Sequence, residues 1–353
     1  MIVHFTLGRV NPKSTNGINV LLTGLVKAQN NSNRKAYVLT VRTKQNKFKR
    51  IYQRDGFEVV GYKSIVGVIG HLWRNKHRIE LIQIHNTWCN RNLCVAICAK
   101  VLKLKFFVHP HASFFEDRME AKKFLKKIYH IFLQGPIISK AEYIVASGID
   151  EYERLEELLP KSRIALIENG MELPDVDLGV AELNRSPGRF GLMARFSIEK
   201  NQLEAIKLVQ FNREITLRLI GDPRTPYGRK CSQYVENNEL SNQVFFLGSM
   251  HGEQKLKEML TWDIYVQSSR SEGGLSLAIR EALLLGIPCL VSEGCRTKGF
   301  ESLSGLIVYN EENFVKKVKK ANELDRSLIK REASQRFSWK IYVESINKLL
   351  DKL

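Results

Sequence analysis

Two glutamates flank a glycine-rich turn in the second half of the chain. Glu272 precedes Gly273 and Gly274, and Glu281 lies within the run of helix-forming residues that begins at Leu275. The first amides of a helix have no partner inside it, and the helix dipole is positive at that end. The backbone of Gly273, Gly274 and Leu275 therefore predicts a phosphate site with one acid at its mouth. A buried helix with charges on its wet face is the alternative.

A strand, a turn, a helix and a second strand position these residues. The apolar run 263–267 predicts a buried strand before the turn, and the helix is expected to run through Leu285. Gly286 and Pro288 end that helix, and 289–292 begins the next strand. In a parallel sheet, ligands bind outside the carboxyl ends of the strands, where this turn lies.

The N-terminal half begins with the same strand–loop–helix plan. Residues 2–7 predict a strand, 8–17 a loop and 18–29 a helix. The loop spacing does not fit the dinucleotide fingerprint, so no nicotinamide cofactor is expected. The helix start at Gly17 is a candidate to face a phosphate or an acceptor, with a plain turn as the alternative. Repetition of this plan indicates a mostly parallel sheet.

Several strands of this half end in polar residues. His85 follows the run 81–84, and His109 and His111 follow the run 106–108. A single histidine at a strand end is more often structural than functional. Two such clusters in one half favour a cleft edge lined by polar side chains.

The charge of the chain predicts an acidic partner. Its 353 residues suggest two domains, and the formal net charge is +18. An excess of this size points to membrane headgroups, nucleic acid or phosphorylated substrates. Basic clusters occur at 44–50, 74–78 and 122–127, all in the N-terminal half.

The cysteines and the first residues predict a cytoplasmic protein without a metal site. The six cysteines show no Cys-x-x-Cys pair and no metal-ligand spacing, and most occur in apolar context. We therefore expect them to be reduced. Residues 1–7 lack the basic segment and cleavage site of a signal peptide. No stretch reaches transmembrane length without charge.

The order of the central stretch resembles the donor-sugar signature of the glycosyltransferase family 4 type. The run Glu281-Ala-Leu-Leu-Leu-Gly-Ile-Pro follows that pattern. Eight residues separate Glu272 from Glu281, one more than is usual in the family. Glu272 matches if Gly273 and Gly274 absorb one residue as a bulge. The resemblance implies that Glu281 hydrogen-bonds ribose hydroxyls and that Glu272 hydrogen-bonds sugar hydroxyls.

Two cations after the predicted strand 190–195 resemble the family's Gly-Arg…Lys-Gly element. Arg195 and Lys200 stand at the cationic positions, and Ala194 and Asn201 stand at the two glycine positions. A departing nucleoside diphosphate gains negative charge, which fixed cations stabilise. Arginine grips two oxygens, while lysine acts as a point charge. An ordinary surface cation is the alternative for each.

The histidine clusters also match the family. There, an aromatic-bearing loop precedes a strand that ends in Pro-His-Gly. Here His85-Asn-Thr-Trp is followed by a helix and by Phe-Phe-Val-His-Pro-His111, with Ala112 in place of the glycine. The resemblance implies that His111 is a catalytic-site residue near the donor sugar.

The resemblance covers nearly the whole chain and implies the GT-B fold. This is an α/β fold in which two Rossmann-like, doubly wound domains face each other across a cleft. Residues 1–172 would form the acceptor-binding domain, 173–189 a linker, and 190–337 the nucleotide-sugar-binding domain. Residues 338–353 would form a helix that packs back on the N-terminal domain.

The function that the resemblance implies is sugar transfer with retention of configuration. The donor would be a sugar carried by UDP or GDP, with no cofactor and no metal ion. The acceptor would be a saccharide or a lipid-linked saccharide of bacterial surface polysaccharide assembly. The positive charge fits an enzyme held at the anionic inner face of the cell membrane.

Two other classes of protein remain as alternatives. One is a sugar-nucleotide epimerase on the same architecture, which product analysis distinguishes. The other is a non-enzymatic basic protein. Nucleic acid is not an expected partner, because the sequence has no stacked-aromatic or helix-turn-helix signature.

Overall fold

Two units make up the chain in the structure, a computed structural model. The structure describes residues 1–7, 17–32, 34–41, 51–54, 56–111, 113–115, 129–160, 162–173, 187–272 and 274–353. The first unit consists of Met1–Met171 together with Ser338–Leu353, and the second consists of Glu172–Phe337. Gly273, Ala112 and the basic clusters 44–50 and 122–127 lie outside the described residues.

A largely parallel sheet forms the centre of the first unit. In chain order its described strands are β1 (Ile2–Leu7), β2 (Ala36–Val41), β3 (Ile51–Arg54), β4 (Phe57–Tyr62), β5 (Leu81–His85), β6 (Phe106–His109), β7 (Tyr143–Ala146) and β8 (Ile164–Leu166). Their spatial order is β3-β4-β2-β1-β5-β6-β7-β8. The edge pair β3–β4 is antiparallel, and the other described pairs are parallel.

Helices cover this sheet, and its central strands are buried. The described helices are α1 (Gly17–Asn31), α2 (Ile65–Asn75), α3 (Asn90–Val101), α4 (Gly135–Ile138) and α5 (Ile149–Leu158). A short 3-10 turn follows α2 at Lys76–Arg78, and a π-helical turn precedes α4 at His130–Gln134. Every residue of β2 and β5 is buried, as expected for parallel strands with both faces covered.

A tryptophan attaches the last helix to the first unit. Helix α12, numbered last in the chain, spans Trp339–Leu350. A Cβ atom built on Gly24 of α1 would lie 2.4 Å from the Trp339 ring, and one built on Gly170 would lie 2.5 Å from it. Any side chain at either glycine would therefore displace the indole from its position.

The second unit has a wholly parallel sheet. Its described strands are β9 (Arg189–Met193), β10 (Thr216–Ile220), β11 (Val244–Gly248), β12 (Ile264–Gln267), β13 (Cys289–Ser292) and β14 (Leu306–Tyr309), in the spatial order β11-β10-β9-β12-β13-β14. The described helices are α6 (Gln202–Gln210), α7 (Pro226–Asn237), α8 (Gly252–Leu260), α9 (Leu277–Leu284), α10 (Phe314–Asn322) and α11 (Arg326–Arg336), with a 3-10 turn at Glu293–Cys295. The prediction of two Rossmann-like α/β domains is confirmed.

The helix of the central stretch begins two residues later than the sequence predicted. We expected it to start at Leu275, but α9 starts at Leu277. Ser276 is the N-cap, and its Oγ accepts a hydrogen bond from the backbone N of Ile279 at 3.3 Å. A serine that caps a helix has an extended backbone, so it stands outside the helix that it begins.

No helix in the described ranges is both long enough and apolar enough to cross a bilayer.

Candidate functional site

The strand order of the second sheet reverses beside its first strand. β9 has β10 on one side and β12 on the other, so the chain winds away from β9 in both directions. The loops that leave the carboxyl ends of β9 and β12 therefore diverge at this point. In open α/β sheets, ligands bind at such a switch point.

Hydrogen bonds join these two loops to each other. The backbone N of Arg270 donates to the backbone O of Glu199 at 2.8 Å, and Ser268 Oγ donates to the backbone O of Asn201 at 2.8 Å. The loop after β12 is thus held against the loop after β9 by one backbone hydrogen bond and one from a short serine side chain, neither of which depends on a long flexible side chain.

The segment after β13 supports the same loop from the other side. Ser292 Oγ donates to the backbone O of Ser269 at 2.6 Å, and the backbone N of Glu272 donates to the backbone O of Gly294 at 2.9 Å. The backbone that carries Glu272 is therefore fixed before any ligand binds.

Glu272 and Lys200 meet at the switch point. Oε1 of Glu272 accepts hydrogen bonds from Lys200 Nζ, from Gln267 Nε2 at 2.6 Å and from Ser269 Oγ at 2.6 Å. The carboxylate is buried, while the lysine side chain is 25% exposed. A carboxylate with three donors on one oxygen stays in one orientation.

Both charged groups keep binding capacity in this arrangement. In the described part of the chain, the hydrogen bonds of the Glu272 carboxylate all go to Oε1, and Oε2 has no protein donor. The ammonium group of Lys200 carries three hydrogens and gives one to Glu272. The pair can therefore offer an acceptor to a hydroxyl group and donors to an anion.

Asn201 stands at a glycine position of the pattern that the sequence resembles, and its backbone is left-handed. Its φ is +50°, in the left-handed region, directly before α6. Asparagine enters this region more readily than most residues. Asn201 therefore makes the backbone turn that glycine makes in the family pattern, and Lys200 stands immediately before it.

The turn after Glu272 has an open backbone at Gly274. Its φ is +121°, and a Cβ atom built there would meet no atom within 4 Å. Leu275, which follows, is buried. The backbone at Gly274 therefore has space beside it, as close approach of a ligand requires.

Glu281 has an internal partner that the sequence did not predict. Its Oε1 lies 2.5 Å from Nζ of Lys255 on α8, and the two side chains are only 13% and 17% exposed, respectively. Nothing in the local sequence around Lys255 identifies this contact, because it joins α8 to α9 across 26 positions of the chain.

Arg195 is not brought to the pair. Its side chain is 76% exposed, and Nη2 lies 4.0 Å from Glu199 Oε2. Of the two cations selected from the sequence, Lys200 contacts Glu272 and Arg195 extends into solvent.

The first sheet has a switch point of its own. β1 lies between β2 and β5, so the chain diverges there as well. Gly17 is the first residue of α1, the helix after β1. His85 is the last residue of β5 and pairs in register with His109 of β6.

Four histidine rings cluster beside this second switch point. The ring of His85 lies 5.3 Å from that of His4, 4.8 Å from that of His109 and 5.2 Å from that of His111, measured between centroids. His4, His85 and His109 are buried, and His111 is half-buried. His4 was predicted only as part of a strand, so its place in the cluster is a finding of the structure.

Burial keeps these imidazoles neutral. Loss of water lowers the pKa of His4 and of His111 to about 4. The same cause lowers the pKa of His85 and His109 well below its ordinary value, and the neighbouring histidines lower it further. Each ring therefore carries one proton at neutral pH, on one of its two nitrogens.

The described residues contain no group of three or more histidine, cysteine, aspartate or glutamate side chains suited to hold a metal ion.

Comparison with known proteins identifies the class. Residues 180–341 match the family model described as "Glycosyl transferases group 1". A relative named as an uncharacterized glycosyltransferase of Methanocaldococcus jannaschii is 23% identical over 342 residues, which cover 86% of this chain and 84% of that protein. The predicted resemblance to glycosyltransferases is confirmed.

Solved structures with the same fold include several sugar-transferring enzymes. Sucrose-phosphate synthase from Thermosynechococcus elongatus has a TM-score of 0.78 at 14% identity, covering 99% of this chain and 98% of that one. Anabaena HepE in complex with UDP and glucose has a TM-score of 0.72 at 16% identity over 100% of both chains. The lipopolysaccharide outer core galactosyltransferase WaaB has a TM-score of 0.70 at 14% identity over 100% of both. These likenesses show that the chain has the GT-B fold.

Proposed function

We propose that this enzyme transfers a sugar from a UDP- or GDP-sugar to a saccharide or lipid-linked saccharide with retention of configuration. The observation that carries the proposal is the pair formed by the buried Glu272 carboxylate and the partly exposed Lys200 at the switch point of the second sheet. Beside it, the open backbone at Gly274 precedes the N-terminus of α9. A cation, a helix end and a carboxylate acceptor match a diphosphate joined to a sugar.

Each residue has a proposed part in the transfer. Lys200 neutralises charge on the diphosphate as it departs, and the backbone amides from Gly273 to Leu275 add hydrogen bonds to it. Oε2 of Glu272 accepts a hydrogen bond from a sugar hydroxyl. Arg195, whose side chain is exposed, closes on the diphosphate only when ligand is bound.

Two further parts rest on the family resemblance. Glu281 would hydrogen-bond the ribose hydroxyls while Lys255 fixes its orientation. His111 would contact the donor sugar. In a retaining transfer of this family no separate general base is required, and the departing diphosphate is the group that needs stabilisation.

A thermal-shift panel tests the donor site. We expect UDP or GDP to raise the melting temperature of the protein, because a ligand that binds the folded state stabilises it by mass action. Uridine and guanosine, which lack the phosphates, serve as controls and should give little shift. If nucleosides and nucleoside diphosphates give equal shifts, the diphosphate is not what the site binds.

The surface of α2 supports an acceptor at a membrane. Trp73 is 62% exposed and Val66 is 72% exposed, and they stand seven positions apart on one face of the helix. Arg74 and the basic turn Lys76–Arg78 follow directly. Exposed tryptophan beside several cations is typical of a surface that binds anionic lipid. WaaB, a relative in fold, acts on lipopolysaccharide.

Vesicle sedimentation tests this surface. We expect the protein to sediment with vesicles containing anionic lipid at low salt and to be released as salt rises. Trp73→Ala should weaken sedimentation several-fold. Phe211→Ala is the matched control, because Phe211 is an 84% exposed aromatic on the second unit. Equal binding of both variants, or no binding at any ionic strength, would contradict a membrane role for α2.

A further inference from the structure

A chain of hydrogen bonds runs from a buried glutamine through three histidines. Gln29 Oε1 lies 2.6 Å from His4 Nε2, His4 Nδ1 lies 3.0 Å from His85 Nε2, and His85 Nδ1 lies 2.9 Å from His111 Nε2. Gln29, His4 and His85 are wholly buried, and His111 is the half-buried end. We call these four residues the histidine chain.

The glutamine sets the direction of every bond in the histidine chain. A neutral imidazole has one N–H donor and one acceptor nitrogen. Because the amide oxygen of Gln29 only accepts, His4 donates to it from Nε2, which leaves Nδ1 of His4 as an acceptor. His85 must then donate from Nε2 and accept at Nδ1.

The same rule reaches the last ring. Since Nδ1 of His85 accepts, His111 donates to it from Nε2, and Nδ1 of His111 carries a lone pair. Among contacts of the described residues, the ring hydrogen bond of His111 is the one to His85. Within the described ranges this lone pair has no hydrogen-bond donor, and there it is open to a ligand.

We infer that Gln29, His4 and His85 are positioning residues that hold His111 in the Nε2–H tautomer, with Nδ1 directed to accept a hydrogen bond from a hydroxyl group of a bound saccharide. This inference rests on the proposed function, which supplies a hydroxyl-bearing substrate. With the opposite tautomer, Nδ1–H would donate, and a hydroxyl could meet it only as an acceptor. The histidine chain thus determines whether the site binds a sugar hydroxyl as a hydrogen-bond donor or as an acceptor.

Packing around the histidine chain holds its rings in one arrangement. The His109 ring stacks on that of His85 at an interplanar angle of 18°, and the His111 ring lies nearly in the plane of the His85 ring, at 9°, with their nitrogens hydrogen-bonded. His111 has φ of +51°, a backbone conformation that few residues other than glycine adopt. A residue in this backbone conformation, held by a hydrogen bond to a buried ring, is typical of a functional site.

Nuclear magnetic resonance reads the tautomers directly. Long-range proton–nitrogen correlation spectra of histidine-labelled full-length protein distinguish protonated from unprotonated ring nitrogens. At neutral pH we expect Nε2 protonated and Nδ1 unprotonated in His4, His85 and His111. A proton on Nδ1 of His111 in the wild-type protein would overturn the inference.

Two variants test the role of Gln29. Gln29→Met removes both polar atoms at similar volume, and signals of a second, Nδ1-protonated form of His111 should appear. His71→Gln is the matched control: His71 is a hydrogen-bonded histidine of the same unit, bound to Tyr37 and Tyr62, and its loss should leave the His111 spectrum unchanged. An unchanged His111 tautomer in Gln29→Met would overturn the role of Gln29.

Adding ligand to the labelled protein distinguishes a failure of this inference from a failure of the proposed function. Each UDP- or GDP-sugar that raises the melting temperature is added to labelled protein, and the Nδ1 resonance of His111 should shift while those of His71 stay in place. An unmoved resonance with bound donor overturns the hydroxyl contact. If no nucleotide sugar stabilises the protein, the proposed function fails, whereas the tautomer assignment still stands or falls on the wild-type spectrum.

Discussion

Replacing Lys200 by alanine is expected to lower kcat/KM for sugar transfer by about 100-fold or more, the scale seen when one group that stabilises developing negative charge is lost. Lys200 is the described cation that contacts Glu272 at the switch point. The variant should remain folded, because the Glu272 carboxylate keeps its hydrogen bonds from Gln267 and Ser269. Circular dichroism checks the fold, and initial rates with a stabilising donor give the effect.

A second lysine–glutamate pair supplies the control. Lys257 Nζ lies 2.5 Å from Glu253 Oε1 on α8, where both side chains are about half exposed. An exposed pair of this kind contributes little to stability. Lys257→Ala should therefore leave kcat/KM within about 2-fold of the wild type. Equal losses in Lys200→Ala and Lys257→Ala would contradict the role given to Lys200.

Mild acid is expected to destabilise the first unit strongly. The pKa of His4 and that of His111 fall from 6.5 to about 4 on folding. Between these values the unfolded chain binds protons that the folded chain does not. The contribution of the two neutral histidines to the free energy of unfolding is therefore complete above pH 6.5 and is lost as pH falls toward 4. The two together should lower the free energy of unfolding by about 3 kcal/mol between pH 7.5 and 5.5. His85 and His109, lowered by the same burial, act in the same direction.

Urea unfolding followed by tryptophan fluorescence measures this loss. Three of the four tryptophans, Trp73, Trp88 and Trp339, belong to the first unit. His111→Gln removes one titrating group at the half-buried end of the cluster, so its pH dependence over the same range should be shallower by about 1.4 kcal/mol. A free energy of unfolding that stays level from pH 7.5 to 5.5 would show that the imidazoles are not kept neutral by burial.

The local parts of the candidate donor site were predictable from the sequence. The strand, turn and helix around Glu272 follow from a short apolar run, a glycine pair and a run of helix formers. Lys200 was found because it stands between a strand and a helix in a known order. Such signals work because their residues are neighbours in the chain. Only the first turn of α9 differed, because the capping serine at 276 was taken as part of the helix.

The contacts that complete the site were not predictable in this way. The bonds of Lys200 to Glu272 and of Lys255 to Glu281 join segments separated by 72 and 26 positions, respectively. Gln267 gave one usable signal, a polar residue at the end of an otherwise apolar strand. His4 gave none, because its partner His85 becomes a neighbour only when β1 and β5 pair in the sheet.

The most direct test of the central claim is a calorimetric titration. The ligand is the nucleoside diphosphate that gives the largest rise in melting temperature. The claim is that the loop pair at the switch point of the second unit grips the diphosphate. We predict that Lys200→Ala raises the dissociation constant by about tenfold or more, which is a loss of roughly 1.4 kcal/mol in binding free energy. Lys257→Ala should leave the dissociation constant unchanged. Identical dissociation constants for wild type and both variants would contradict the claim.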